Sequence, residues 1–415
     1  MNARLRKLSV VVSLSVLLLV AFSGIMQAQK IQIRFANWQF LEPGRDTLLY
    51  QFIEEFEAQN PGVEIVAEAI PYSTYNERIA NELRAGQGPD VFFSQEFSII
   101  PWIQDGFVAP LDDLIDLAKY DFLPQQSSAI YNGKTYAVLY EGFPYAGLIC
   151  NMKLFEEAGV EIPTTPEELI EAAQKLTKAP DQWGLAHAFA FANHAYIMQS
   201  GMMVIKGFGG RIVDEDGNIA VDSPEFIAGV EYLKQLYDSG GVPVGTEFRL
   251  QRQWFTEGKV AMVMDGPYWP LIVKEENPEL YEHLEVARLP FPDPASPYET
   301  NWYMISANSQ HKEIAAKFIE HLLSKDIQKT WAVGSGMGTG EAWTLDAVSD
   351  AYSWFQVYRD VSPYGVVRIY PGLERHTAQA RKMVADAISE VLIGRKTAAQ
   401  SMADLKNQLL QLSDR

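Results

Sequence analysis

Residues 31–36, Ile-Gln-Ile-Arg-Phe-Ala, alternate apolar and polar side chains, the period of a strand with one buried face. Leu48, Leu49, Phe52, Ile53 and Phe56 then recur at helical spacing, and Asn60-Pro61-Gly62 closes that helix. Val63 to Ala67 returns to the strand pattern. Tyr75 to Ala85 predicts a second helix, stopped by Gly86, and Val91-Phe92-Phe93 a short apolar strand. This alternation predicts parallel strands with helical crossovers.

The second half continues the pattern. Thr165-Pro166-Glu167-Glu168 is a capping box with proline at the first helical position, followed by the stripe Leu169, Ala172, Ala173 and Leu176. Ser223-Pro224 opens another helix, with Phe226, Ile227, Val230, Leu233 and Tyr237 inward. Ile314, Phe318, Ile319 and Leu322 mark a later one. Val384, Ala387, Ile388, Val391 and Leu392 mark the last long one, stopped by Gly394. No repeat, low-complexity tract or Gly/Ser linker interrupts the chain, so its domains are expected to be joined by strands.

At 415 residues the chain has room for more than one domain. Charged residues at 21% and hydrophobic residues at 47% exclude a disordered chain. The N-terminus is a special segment. Arg4, Arg6 and Lys7 precede an apolar stretch from Leu8 to Phe22, and small and polar residues follow. That is the layout of a cleavable secretory signal peptide over residues 1–28, with cleavage after Ser23 or Ala28. The apolar stretch, about 15 residues, falls short of the roughly 20 a spanning helix needs. Loss of these three basic residues takes the net charge from −19 to −22. Such a surface opposes nucleic-acid and anionic-membrane binding. Cys150 is the only cysteine, which excludes an intramolecular disulfide, and it lies too far from the leader to carry a lipid anchor.

Catalytic motifs fail in turn. There is no Gly-x-Ser-x-Gly elbow. His187 and His194 have the wrong spacing for one helical metal face. Gly207-Phe208-Gly209-Gly210 is too poor in Lys and Ser/Thr for a phosphate loop. No cofactor, metal or enzymatic activity is expected.

Three segments carry more information. Gly88-Pro89-Asp90-Val91-Phe92-Phe93 is a glycine turn entering a strand. Ala137 to Phe155 reads as an apolar strand, a polar and aromatic break at Tyr140–Tyr145, a second apolar strand ending in Cys150-Asn151, and a helix. Phe255-Thr256-Glu257-Gly258-Lys259-Val260-Ala261-Met262 continues through a strand to Asp265-Gly266-Pro267-Tyr268-Trp269. Together and in this order they resemble the sugar-type extracellular solute-binding proteins of ABC importers, the maltose-binding-protein-like family. Cys150 stands where the family usually has tyrosine before the asparagine.

The resemblance implies a two-lobe α/β fold of the type II periplasmic-binding-protein class, with a ligand cleft between hinged lobes. The first lobe is expected over residues 29–141 and 290–326, the second over 142–289 and 327–415. It implies a receptor in the periplasm or outside the cell, soluble and monomeric, that delivers a sugar or small oligosaccharide to a membrane permease. The alternatives are a non-sugar solute (a polyamine, amino-acid derivative or phosphorylated polyol) and an exported carbohydrate-active enzyme.

Candidate ligand contacts follow from the same segments. Trp38 and Glu42 follow the first strand, where an aromatic face stacks on a pyranose and a carboxylate binds hydroxyls. Gln95 and Glu96 sit at the carboxyl end of a strand, where open α/β sheets bind ligands. Glu141 and Tyr145 lie in the break between lobes. His187 and Tyr196 follow a Trp-Gly strand that resembles the family's entry into the cleft. Asp265, Tyr268 and Trp269 end the strongest match, with Tyr268 favoured as the stacking ring. Trp302 lies on the strand expected to return to the first lobe. For Trp38, Tyr268 and Trp269 the alternative is ordinary core packing.

Overall fold

The computed structural model describes residues 30–42, 44–191, 194–368 and 370–413. The signal-peptide reading of residues 1–28 lies outside them. Among the described residues twelve strands form: β1 Ile31–Asn37, β2 Val63–Ala69, β3 Val91–Gln95, β4 Ile130–Tyr131, β5 Lys134–Thr135, β6 Val138–Pro144, β7 Gly147–Asn151, β8 Trp183–Ala186, β9 Val260–Asp265, β10 Leu284–Arg288, β11 Ser296–Ile305 and β12 Gly365–Val367. They build two α/β lobes. One holds a six-stranded sheet in the order β12-β11-β3-β1-β2, with β6 on the other side of β11. The other holds a four-stranded sheet in the order β10-β7-β9-β8.

β1 pairs in parallel with β2 and with β3, through the helices Arg45–Gln59 and Tyr72–Arg84, as the alternation predicts. β11 departs from that pattern. It runs antiparallel to β3 and β6 because the chain enters it from the second lobe, opposite to a crossover helix. Its length lets it contact three strands, and the register sets Asn301 between Gln95 and Glu141.

The chain passes between the sheets where β6 gives way to β7 at Tyr145 and Ala146, and again where β10 leads into β11. No flexible tether intervenes, so relative motion of the lobes must bend these strand segments. Successive residues of β7 serve opposite faces: Leu148 and Cys150 join one core, Ile149 the other. The second core fills beneath the helices His194–Gly207, Pro224–Asp238, Thr377–Leu392 and Ala398–Leu412. The helix Lys325–Ser335 packs on Arg45–Gln59, and its Trp331 is buried in the core of the first sheet.

Local rules read from the chain operate here. Thr165 and Glu168 close a reciprocal capping box, and the Ser223 hydroxyl accepts from the amide of Phe226. Burial pushes the Cys150 thiol pKa up, so it is an inert core group. No helix among the described residues is long and apolar enough to cross a membrane.

Candidate functional site

Three polar clusters are built on the strands of the two sheets and the segments that follow them. The first grows from the end of β9. Asp265 is fully buried and accepts from Arg252 Nε at 2.7 Å, from the Gly266 amide at 2.8 Å and from the Tyr268 hydroxyl at 2.8 Å. Arg252 also donates to the Tyr268 oxygen at 2.8 Å. Its guanidinium lies over Phe248 at 4.7 Å and Trp269 at 5.2 Å. Burial works against the Arg252 charge, but Asp265, Tyr268 and Tyr196 together more than offset it, so the pKa rises. A side chain at position 266 would come within 2.7 Å of the Tyr268 ring, so glycine is required there. Tyr268 is half-buried and packs against both cores. Phe143 meets it edge-on at 5.6 Å, and Arg45, from the first lobe, lies 5.7 Å over its ring.

The second cluster surrounds Glu141 on β6. This carboxylate is fully buried and saturated by donors: Gln39 Nε2 at 3.1 and 2.9 Å, Asn301 Nδ2 at 2.9 Å and Trp331 Nε1 at 2.7 Å. Burial raises its pKa, while the nearby Arg45 charge and the hydrogen bonds oppose the rise. Arg45 is ion-paired with Glu42.

The third cluster centres on Arg368. It pairs with buried Glu96, whose carboxylate also accepts the amide and hydroxyl of Thr300 at 3.2 and 3.1 Å. Glu96 opens the helix Glu96–Gln104, where the helix dipole favours a negative charge. Arg368 reaches Glu299 at 3.3 Å, and Glu299 accepts from Gln95 Nε2 at 2.9 Å and from the Tyr145 hydroxyl. Tyr72 in turn donates to Gln95 at 3.0 Å.

The sequence candidates therefore divide. Glu42, Gln95, Glu96, Glu141, Tyr145, Asp265 and Tyr268 enter these clusters. Tyr196 stands beside the first, its ring 5.6 Å from Phe248. Trp269 is buried, with its ring beneath Arg252. Trp38, 4% exposed, packs on Tyr72, Tyr75 and Phe93. Trp302 is 0% exposed, and its indole N–H is bound by Thr300 Oγ1 at 2.9 Å. His187 is buried against Phe189, and burial depresses its pKa to about 3, so its ring is neutral. Arg45, Arg252, Glu299 and Trp331 complete the clusters and were not singled out in the sequence. Each lies outside a motif, and a charge on an amphipathic helix reads equally well as solvated. Among the described residues no group of His, Cys, Asp and Glu is placed to hold a metal ion.

Two lobes linked by strands bring polar and aromatic side chains together where they meet, with Arg45 of one over Tyr268 of the other. The chain belongs to the bacterial extracellular solute-binding protein family, which it matches over residues 42–329. A relative in Brucella abortus is 26% identical over 299 residues, covering 68% of this chain and 69% of its own. The maltotriose-binding protein of Pyrococcus abyssi is 27% identical over 234 residues, covering 56% and 49%. The fold is shared with the GacH receptor of Streptomyces glaucescens, solved unliganded and with acarbose. That match has a TM-score of 0.81 at 22% identity and covers 92% of this chain and 98% of the receptor.

Proposed function

We propose that this protein is the extracytoplasmic receptor of an ABC importer and that its ligand is a sugar or small oligosaccharide. The lobes divide along the two sheets, and the ligand binds between them on the Tyr268 ring. The observation that carries the reading is the position of Tyr268. It is partly open, touches both cores, has its hydroxyl locked by Asp265 and Arg252, and meets a first-lobe cation. A ring held this way offers a flat face to a pyranose, and Arg45 and Glu42 beside it offer donors and acceptors to hydroxyls. The acarbose complex of the GacH receptor and the maltotriose-binding relative in Pyrococcus support a saccharide.

Closure traps the ligand and presents a joint surface of both lobes to the permease. The ligand drives it only by binding the closed state more tightly than the open one. The protein acts as a monomer and is exported through the leader at residues 1–28. It binds without turnover. Calorimetric titration across a panel of mono- and oligosaccharides tests the reading: one of them should bind at one per chain. Binding of amino acids or polyamines with no saccharide bound would overturn it. Product release from chromogenic glycosides would point to the enzyme alternative instead.

A further inference from the structure

Trp38 is buried, but the ring it supports is not. Tyr72 opens the helix Tyr72–Arg84 just past the carboxyl end of β2, where open α/β sheets bind ligands. It is 57% exposed, more than any other large apolar side chain among the described residues. Trp38 meets it edge-on at 5.5 Å and is itself packed on Tyr75 and Phe93. The Tyr72 hydroxyl donates to Gln95 Oε1 at 3.0 Å, and Gln95 Nε2 donates to Glu299 at 2.9 Å. A buried indole thus fixes the ring and a buried amide fixes its tip.

A solitary exposed aromatic is ordinary on a protein surface and needs no function. Tyr72 differs in where its tip lies. Burial pushes the hydroxyl pKa up to about 12, and the Glu299 charge adds to the rise, although the side chain is open. An open ring with a desolvated tip belongs to the wall of a cleft, not to a convex surface. Arg368 and Arg381 work against the rise. Arg381 stands on the second-lobe helix Thr377–Leu392, with its guanidinium 5.9 Å over Phe97 of the first lobe. Tyr72 therefore stands close to where the lobes meet.

Tyr72 and Tyr268 are separate rings with Glu299 between them. Glu299 reaches the Tyr72 hydroxyl through Gln95. Burial, Asp265 and the Glu299 charge raise the pKa of the Tyr268 hydroxyl against the pull of Arg252, so Glu299 lies near that ring too. Buried Tyr145 and Phe143 fill the interval from Glu299 to Tyr268. A pyranose stacked on Tyr268 therefore cannot also lie on Tyr72. We infer that Tyr72 is a second stacking platform, on the first lobe, and that the transported ligand is an oligosaccharide long enough to lie on both rings at once. The inference rests on the saccharide reading and narrows it to chains of more than one sugar ring. Glu299, only partly buried between the platforms, accepts a hydroxyl of the units that join them. A monosaccharide reaches one platform and gains nothing from the other.

Calorimetric titration with maltodextrins, cellodextrins and xylo-oligosaccharides, each from the monosaccharide to the tetrasaccharide, tests the inference on the full chain, Tyr72→Ala and Tyr72→Phe. An exposed ring in the first turn of a helix should be dispensable for folding, and thermal melts check this. In the series that binds, affinity for the unaltered chain should rise with oligomer length. Tyr72→Ala should lose that gain, about tenfold or more for the best-binding oligomer, and leave the monosaccharide within about twofold. Tyr72→Phe keeps the ring and should follow the unaltered chain. Three results would each overturn the inference while leaving saccharide binding standing: unchanged oligosaccharide affinity in a folded Tyr72→Ala, an equal loss in Tyr72→Phe, or a monosaccharide that binds as tightly as its oligomers. If no member of any series binds, the saccharide reading and the inference fall together.

Discussion

Replacing Tyr268 separates the two things this side chain does. Its hydroxyl donates to Asp265 and accepts from Arg252, both at 2.8 Å. Hydrogen bonds to charged groups contribute about 1.5–3 kcal/mol each. Asp265 and Arg252 still hold each other at 2.7 Å when the hydroxyl is gone, so Tyr268→Phe should cost only about 1 kcal/mol of stability. Tyr268→Ala also removes a half-buried ring that fills space against both cores, which should cost about 2–3 kcal/mol. Affinity should respond differently. The ring face survives in Tyr268→Phe, so binding should stay within about threefold of the unaltered chain. Tyr268→Ala loses the stacking surface, about 1–3 kcal/mol, or roughly 5- to 150-fold in Kd. The assay is calorimetric titration with the best-binding saccharide, beside thermal melts that confirm each variant is folded. Unchanged affinity in a folded Tyr268→Ala would remove this ring from the site. Equal losses in both variants would show that the hydroxyl, not the ring, recognises the ligand.

Glu141→Ala strands three buried donors, from Gln39, Asn301 and Trp331, and should destabilise the protein by about 3–5 kcal/mol in chemical denaturation; a loss below 1 kcal/mol would show that the cluster is not structural. Asp265→Asn leaves Arg252 buried beside a neutral amide and should cost about 2–4 kcal/mol, with Asp265→Asn/Arg252→Met regaining part of it; a double variant as unstable as the sum would contradict the pairing. Burial holds the Lys206 pKa at about 7, far below the 10.5 of an unconstrained lysine, so the folded state loses this proton before the unfolded chain does. Between those values the unfolded chain binds more protons and stability rises with pH. The gain from Lys206→Met should therefore be fullest below pH 7, at most about 5 kcal/mol, and should shrink as pH climbs; Arg211 on the loop beyond its helix, which lowers the pKa, and Asp293 after β10, which raises it, are the charged neighbours that modulate it. A gain that does not vary with pH would show that Lys206 keeps its charge in the fold.

The strands and helices around β1, β2 and β3 were legible because their periods are unambiguous and Gly62, Gly86 and the Thr165 capping box mark real boundaries. The antiparallel course of β11 was not. Its apolar pattern suits either direction, and the direction depends on which lobe the chain arrives from. Within the site, Asp265 and Tyr268 were legible as a motif, but the Arg252 that joins them lies on a helix whose charges carry no marker. Trp302 and Trp38 looked like stacking rings because an isolated tryptophan carries no record of its burial; the surroundings of both are core. Glu141 was legible as a carboxylate between lobes, while its saturation by Gln39, Asn301 and Trp331 depends on contacts far apart in sequence.

Small-angle X-ray scattering during titration with the best-binding saccharide tests lobe closure most directly. Closure predicts a radius of gyration that falls with occupancy and levels off at one ligand per chain. Superimposable scattering curves from the free and the calorimetrically saturated protein would contradict it.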